Sequence, residues 1–257
     1  MSRPRFLLSG LVAFVLALAI VSSAAAADPA DSSNWAGYAI ARTDATTGAP
    51  ASFRAVSGSW TQPAASCTAG SPSYSAFWIG LGGAAATSTS LEQIGTSSDC
   101  TAAGKPVYSV WYELVPAASV KTKLKISAGD RLHAVVAVDG TSVTLRLQNL
   151  TRHTVLTKRL TMAAPDVSSA EWIAEAPSGC NQFGRCQVLP LADFGTVSFS
   201  KGLAVTTDGR TGAIASSQWD ATPIRLLPDT ASVNGIAVPG ALTSDGAGFS
   251  VTRQSAS

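Results

Sequence analysis

The order of apolar and polar residues along the chain is typical of short β-strands. In residues 141–148, valine and leucine alternate with polar residues, which places one face of a strand in a core and the other in water. Residues 131–138 form a second run of this kind, and Asp139-Gly140 joins the two. This dipeptide suits the turn of a β-hairpin because both its residues tolerate positive φ. The pattern therefore predicts a hairpin over residues 131–148.

Further short runs predict strands at residues 107–114, 154–162, 171–175, 197–199 and 224–227. Turn clusters separate these runs, and no long stretch has the 3.6-residue period of a helix. Several short strands divided by turns are typical of a β-sandwich or barrel. We therefore expect residues 28–257 to form one all-β domain, an antiparallel sandwich of two packed sheets of the concanavalin or lectin-like kind.

The first 27 residues have the pattern of a secretory signal. Arg3 and Arg5 precede the apolar run of residues 6–21, and small residues follow up to Ala27. The run is shorter than the roughly 20 residues that span a bilayer, and its flanks are those of a cleaved signal. We expect a secreted, extracellular protein with no membrane attachment after cleavage.

Charge excludes one class of partner. The chain has 18 Lys and Arg against 16 Asp and Glu, and only 13% of its residues are charged, compared with about 25% in a typical domain. The two surplus basic residues are Arg3 and Arg5 in the predicted signal. The secreted chain is thus formally neutral, with no basic face for nucleic acid. We expect a monomer.

The cysteines number four: Cys67, Cys100, Cys180 and Cys186. Export permits disulfides, and four cysteines allow three pairings. Because residues 180–186 form a short, turn-rich loop, pairing of Cys180 with Cys186 is the simplest choice, which leaves Cys67 with Cys100. No Cys or His spacing typical of zinc accompanies them, so we expect no metal and no cofactor.

The two histidines give little support for a serine hydrolase. His133 lies within a predicted strand and His153 within a turn, and the chain has no G-x-S-x-G sequence to supply a nucleophile. The four glutamates, Glu92, Glu113, Glu171 and Glu175, lie beside aromatic residues, glycine or glutamine. Since β-propensity disfavours glutamate in strands, their position there favours a chemical role.

Geometry on the predicted strands groups these side chains. Positions i, i+2 and i+4 of a strand share a face, so Glu171, Ile173 and Glu175 point together, and Glu113 shares a face with Trp111. The α-carbons of Glu171 and Glu175 would lie roughly 13 Å apart.

An ordered set of sequence blocks resembles the glutamic peptidases, or eqolisins, and points to a secreted, bacterial-type member. The blocks occur in family order between residues 32 and 199, and each is weak alone. They are S-S-N-W-A-G-Y at 32–38, G-S-W-T-Q-P at 58–63, F-W-I-G-L-G-G at 77–83, L-E-Q-I-G at 91–95, W-Y-E at 111–113, Q-N-L-T at 148–151, A-E-W-I-A-E at 170–175 and A-D-F-G at 192–195.

The resemblance implies a β-sandwich acid endopeptidase that acts on proteins or peptides through a glutamine and a glutamate. On the matching positions these are Gln93 and Glu175, while Trp78 and Glu113 match residues that line the family's groove. We also expect Trp111 and Glu171 to contact substrate. Because a carboxyl group has a reference pKa near 4.3, such a pair favours acid.

Two departures from the family pattern put the pH optimum and specificity in doubt. Gly82 and Ser97 stand where the family has acidic residues, so some supporting hydrogen bonds or subsites differ.

Two alternatives come from carbohydrate-active proteins. Retaining β-glucanases need carboxyl groups about 5–5.5 Å apart and usually an acidic residue between them, whereas Ile173 lies between Glu171 and Glu175. A carbohydrate-binding module could use the six tryptophans for stacking on sugars.

Overall fold

A computed structural model describes residues 29–43, 51–227 and 235–254 of the chain. The predicted signal of residues 1–27 lies outside these ranges. Every regular element in them is a β-strand. No helix long and apolar enough to cross a membrane occurs among the described residues.

The 18 strands are numbered in chain order. They are β1 (Ala30–Ser32), β2 (Trp35–Ala41), β3 (Phe53–Thr61), β4 (Ala76–Leu81), β5 (Leu91–Cys100), β6 (Pro106–Val115), β7 (Val120–Lys121), β8 (Arg131–Asp139), β9 (Ser142–Asn149), β10 (Thr154–Thr161), β11 (Ser169–Glu175), β12 (Ser178–Cys180), β13 (Cys186–Val188), β14 (Thr196–Thr206), β15 (Thr211–Ala213), β16 (Asp220–Leu226), β17 (Ile236–Pro239) and β18 (Phe249–Gln254).

The strands form a sandwich of two layers, which confirms the predicted fold class. One hydrogen-bonded path runs β10-β9-β8-β3-β14-β18-β17-β16-β2-β11-β4-β5-β6-β7, and β12 pairs only with β13. Strands β3, β8, β9 and β14 pack against β4, β5 and β11. The two layers are therefore parts of one continuous sheet, joined through β16 and β17 by the pair Leu226 and Ala237.

The predicted hairpin is present as β8 and β9, which pair from Leu132 with Asn149 to Asp139 with Ser142. Gly140 in its turn has φ 58°. Strands β6, β10, β11, β14 and β16 also cover runs predicted from the sequence. Strand β4 was not predicted because all six of its residues are buried, so it has no apolar–polar alternation to detect.

Two apolar clusters lie on opposite faces of the layer that contains β4. The main core fills the space between the layers and includes Trp60, Phe77 and Trp172. A smaller cluster on the other face includes Trp78, Trp111 and Ile173. An apolar outer face beside polar side chains suits ligand binding, and it is this face that carries the predicted site residues.

Both predicted disulfides are present, Cys67–Cys100 and Cys180–Cys186. The first joins the segment after β3 to the end of β5. The second closes the small β12–β13 hairpin, in which its two cysteines face each other across the strands.

Candidate active site

Three rows of residues cross the outer face of β11, β4, β5 and β6, because the strands pair in register. The first row contains Glu171, Gly80, Gln93 and Glu113; the second, Ile173, Trp78, Gly95 and Trp111; the third, Glu175, Ala76, Ser97 and Ser109. Residues directly opposite on neighbouring strands project to the same side. The fold thus gathers all six predicted catalytic and substrate-binding residues on one face.

Gly95 makes room for the two tryptophans of the middle row. A β-carbon at Gly95 would lie 2.6 Å from Cβ of Trp78 and 3.0 Å from Cζ2 of Trp111. The first distance is shorter than any ordinary contact, so a larger residue would push Trp78 away. Only glycine allows the indole rings to pack over β5 at this point.

Two donors hold the carboxyl group of Glu175. Asn34 Nδ2 donates to Oε1 over 3.0 Å, and Trp78 Nε1 donates to Oε2 over 2.6 Å. Trp35, next to Asn34 in the chain, packs edge-on against Trp78 with ring centroids 4.9 Å apart. The tryptophan pair and Asn34 therefore fix the position of the Glu175 carboxyl group.

The pKa of Glu175 is raised to about 7, chiefly by burial and in part by the nearby Glu113 carboxyl group, whereas the Trp78 and Asn34 donors limit the rise. The group nevertheless keeps partial exposure to solvent. A carboxyl group with a pKa near neutrality can take up and release a proton in the same pH range, as general acid–base catalysis requires.

Gln93 lies beside Glu113, its register partner on β6. Gln93 Nε2 donates to Glu113 Oε2 over 2.8 Å. Burial raises the pKa of Glu113, and the bond from Gln93 opposes that rise. An amide nitrogen carries two hydrogens, so Gln93 keeps a second N–H for another acceptor.

A cavity of about 280 Å³ opens between Glu175 and Glu113. Gln93 adjoins it through its bond to Glu113 rather than lining it. The lining residues are Ala76, Ser97, Trp111, Glu113, Ser119, Glu175, Pro177, Ser178 and Cys180. The cavity thus joins the two carboxyl groups to a surface that a substrate can reach.

A larger cavity, of about 690 Å³, lies elsewhere and is lined mainly by alanine, serine and threonine. Its one carboxylate, Asp166, already accepts hydrogen bonds from the Gly83 and Ser168 amides and from the Ser88 hydroxyl. These bonds lower the pKa of Asp166. The carboxylate is occupied in holding the 82–90 loop, so the smaller cavity is the better candidate for catalysis.

Glu171 differs from the other predicted contact residues because it is fully buried, with 0% exposure. Burial raises its pKa well above the ordinary value, and the Asp166 and Glu92 carboxyl groups add to this. The nearby Ser169 hydroxyl lowers the pKa in part, but its geometry falls short of a hydrogen bond. The expected contact between Glu171 and substrate is therefore not available in this structure.

Other chemical groups are less suited to catalysis. His133 Nδ1 lies 2.9 Å from Ser59 Oγ on the outer face of the other layer, and burial together with Lys201 and Arg146 lowers its pKa. His153 lies in an exposed turn with φ 54°. Within the described ranges, no three His, Cys, Asp or Glu residues are placed to hold a metal ion.

Sequence comparison identifies the family to which this site belongs. The model of the peptidase A4 family matches residues 33–227, a span that includes both members of the predicted dyad. The chain belongs to the peptidase A4 family. It is therefore a glutamic endopeptidase, a hydrolase that acts on peptide bonds. No curated protein matches it by sequence.

Solved structures share the fold of this peptidase. A scytalido-glutamic peptidase bound to a peptide-based transition-state analogue is 24% identical, with a TM-score of 0.68 over 86% of this chain and 98% of that one. SCP-B, an eqolisin bound to the tripeptide Ala-Ile-His, is 24% identical, with a TM-score of 0.63 over 87% and 98%. Aspergilloglutamic peptidase from Aspergillus niger is 24% identical, with a TM-score of 0.57 over 71% and 99%.

Five of the six tryptophans of the peptidase are too buried to form a sugar-binding platform. Trp60, Trp172 and Trp219 lie in the main core, and Trp78 and Trp111 are buried at the site, with exposures of 0% and 9%. Stacking on a sugar ring needs an exposed aromatic face. The buried Glu171 likewise cannot serve as one of two accessible carboxyl groups of a glucanase.

Sequence reasoning placed three further residues of the site nowhere near it. Asn34, Ser119 and Cys180 lie 141, 56 and 5 residues from Glu175 in the sequence, yet Asn34 bonds to it and the other two line its cavity. Asn34 belongs to the family-like block at residues 32–38, so the sequence did contain a pattern that could have identified it.

Proposed function

We propose that the protein is a secreted endopeptidase in which Glu175 and Gln93 form the catalytic dyad. The observation that carries this proposal is the position of Glu175. Its carboxyl group is bonded to Asn34 and Trp78 and faces the cavity shared with Glu113. Glu113 in turn binds the amide of Gln93.

In the first step, ionised Glu175 removes a proton from a water molecule, and the oxygen of that water attacks the carbonyl carbon of the substrate. Negative charge develops on the carbonyl oxygen as the tetrahedral intermediate forms. The free N–H of Gln93 donates to this oxygen. Such preorganised donors stabilise the transition state most where water is excluded, and Gln93 is only 4% exposed.

In the second step, Glu175 gives its proton to the nitrogen of the leaving amine. The carbon–nitrogen bond breaks, the intermediate collapses to a carboxylic acid, and Glu175 returns to its ionised form. One carboxyl group thus acts first as base and then as acid. Its pKa of about 7 is compatible with both roles.

The raised pKa also bears on the pH optimum. An ordinary carboxyl group would be ionised at pH 5, and the family resemblance predicts activity in acid. In this chain burial keeps Glu175 largely protonated at pH 5. We therefore infer that the rate of hydrolysis falls as the pH drops below about 7. Ser97, which stands where the family has an acidic residue, lines the same cavity.

The proposed substrates are proteins and peptides outside the cell. Secretion rests on the signal pattern of residues 1–27, and the two disulfides suit an oxidising compartment. The family implies the reaction, whereas the choice of side chains beside the scissile bond is set by the cavity lining.

Hydrolysis of casein between pH 3 and pH 8 tests the proposal. The wild-type protein should cleave casein, and Glu175→Gln should reduce the rate by roughly 10³-fold or more, as expected when an acid–base group is removed. Asp220→Asn, on the exposed start of β16, is the matched control and should retain full activity. Cleavage by a folded Glu175→Gln protein at the wild-type rate would contradict the dyad.

A further inference from the structure

The short strand β1 brings a serine close to Glu175. β1 pairs in parallel with β16, and the carbonyl group of Ser32, the last residue of β1, accepts a hydrogen bond from Leu227 N over 2.8 Å. Two residues later, the carbonyl group of Asn34 accepts a bond from Ala176 N, next to Glu175 in the chain, over 2.8 Å. The backbone of residues 32–34 is therefore fixed both to β16 and to the end of β11.

The hydroxyl group of Ser32 has three polar neighbours within hydrogen-bond range. Its oxygen accepts from Trp35 N over 3.1 Å and from Asn34 N over 3.4 Å. A hydroxyl group has one hydrogen to donate and two lone pairs that accept. Because the two backbone N–H groups take the lone pairs, the hydrogen is left for the third neighbour, the side-chain oxygen Oδ1 of Asn34, at 3.3 Å.

This donation determines which way the Asn34 amide faces. Oδ1 accepts from Ser32, so Nδ2 points to Glu175 and donates to its carboxyl group over 3.0 Å. The oxygen and nitrogen of an amide have nearly the same shape, so without the Ser32 hydroxyl group the amide could turn over. A turned amide would present its oxygen to Glu175, and that contact is repulsive whenever the carboxyl group is ionised.

The orientation of Asn34 matters because Glu175 has to be ionised to act as a base. Burial raises the pKa of Glu175, and Glu113, the one charged group among the described residues that acts on it, adds to the rise. The side chains of Trp78, Trp35 and Asn34 oppose the rise. The ionised carboxyl group therefore depends on neutral donors that are held in position.

We propose that Ser32 is a positioning residue: by donating to Asn34 Oδ1 it holds the amide nitrogen of Asn34 towards Glu175, and so favours the ionised form of the base. This inference rests on the proposed role of Glu175. Ser32 does not line the cavity between Glu175 and Glu113, so it acts on the reaction through Asn34 and not through contact with substrate.

Two substitutions at position 32 separate the hydroxyl group from packing. Ser32→Ala removes the donor, so the acid limb of kcat/KM should move to higher pH, and kcat/KM at pH 6 should fall roughly 3- to 10-fold, as for loss of one hydrogen bond. At about pH 9, where Glu175 is ionised in both proteins, the rates should converge. KM should change less than twofold. Ser32→Thr keeps the hydroxyl group and should reproduce the wild-type profile.

Ser198→Ala is the matched control. Ser198 Oγ lies 2.9 Å from Ser250 Oγ on strands β14 and β18, so this change also removes a hydrogen bond of a serine but should leave the pH profile unchanged. A double-mutant cycle then tests the route through Asn34. In an Asn34→Ala background, Ser32→Ala should cause no further shift of the acid limb, since coupled residues are non-additive.

An unchanged acid limb in Ser32→Ala, or equal shifts in the Ala and Thr variants, would overturn the inference. So would a lower melting temperature with no change in the pH profile, which would show a structural role alone. Should Ser32→Ala not fold, Ser32→Cys decides, because a thiol is only a weak donor: an acid limb at the wild-type pH would again contradict donation. Failure of the proposed function is a different result, in which a folded Glu175→Gln protein cleaves casein at the wild-type rate.

Discussion

Trp78 and Glu175 lie on adjacent strands two register positions apart, yet their side chains meet, with Nε1 of Trp78 2.6 Å from Oε2 of Glu175. Trp78 is fully buried, so this N–H has no access to bulk water. The bond gives the ionised carboxyl group a fixed partner, which counters in part the cost of burying its charge.

Trp78→Phe should therefore raise the pKa of Glu175 and reduce activity. Loss of a hydrogen bond to a charged group costs about 1.5–3 kcal/mol, so kcat/KM at pH 6 should fall roughly tenfold or more. Trp60→Phe is the matched control, because Trp60 Nε1 donates to Thr96 Oγ1 within the core. That change should lower the melting temperature and leave kcat unchanged. Equal activity losses in the two variants would argue against a specific role for Trp78.

The pH dependence of kcat/KM should have its acid limb near pH 7. Burial raises the Glu175 pKa to about 7, and a general base is active only when it is ionised. The rate should therefore rise about tenfold per pH unit below this value and level off above it. Initial rates on a short peptide in buffers from pH 3 to pH 8 give the profile. A maximum of kcat/KM at pH 3–4 would contradict the role of Glu175 as the general base with this pKa.

Gln93→Met should lower kcat by about 10²–10³-fold, as removal of an oxyanion donor does in other enzymes. Methionine has a similar volume but no N–H, so the substrate should still bind and KM should change little. Steady-state kinetics on one peptide measure both constants. A large rise in KM with an unchanged kcat would place Gln93 in substrate binding instead.

The two disulfides should differ in what their removal affects. Cys67–Cys100 links residues 33 apart in the sequence, and Cys180–Cys186 links residues 6 apart. Replacing the first pair by serine should cost about 3 kcal/mol of stability, and replacing the second should cost less, since longer loops gain more from closure. Because Cys180 lines the cavity that contains Glu175 and Glu113, the second replacement should raise KM. Thermal unfolding and peptide kinetics of both variants provide the comparison.

Stability should fall as the pH rises from about 4.5 to about 8. Burial raises the pKa of Glu92 to about 8, so in this interval the folded protein holds a proton that the unfolded chain has released, and raising the pH favours unfolding. Glu92→Gln should raise the melting temperature by several degrees at pH 8 and hardly change it at pH 4. If the variant gains as much at pH 4, ionisation of Glu92 is not the cause.

Local pattern was sufficient for some elements and not for others. The hairpin at β8 and β9 follows from alternation and the Asp-Gly turn, which act within 20 residues. Strand β4 has both faces covered, so its sequence carries no period. The burial of Glu171 was also hidden, because it depends on strands β2 and β4 that flank β11 and are distant in sequence.

The residues of the candidate site could be predicted from the ordered family-like blocks and not from the local pattern of apolar and polar residues. These blocks indicated Gln93, Glu175, Trp78, Glu113 and Trp111, and the fold places all five on one face. The contacts among them were not predictable, since Trp78 and Glu175 are 97 residues apart and Gln93 and Glu113 are 20 apart. Register across four strands, which no single segment determines, sets which side chains meet.

The order of these strands also affects when the enzyme can become active during biosynthesis. Gln93 emerges on β5, but Glu175 lies at the end of β11, which enters the sheet between β2 and β4. A chain released or paused before β11 therefore lacks Glu175, the proposed base, and the strand that pairs with β4 at this side of the sheet. With Glu175 as the proposed base, proteolytic activity is coupled to completion of the fold, so incomplete chains cannot digest themselves or their neighbours.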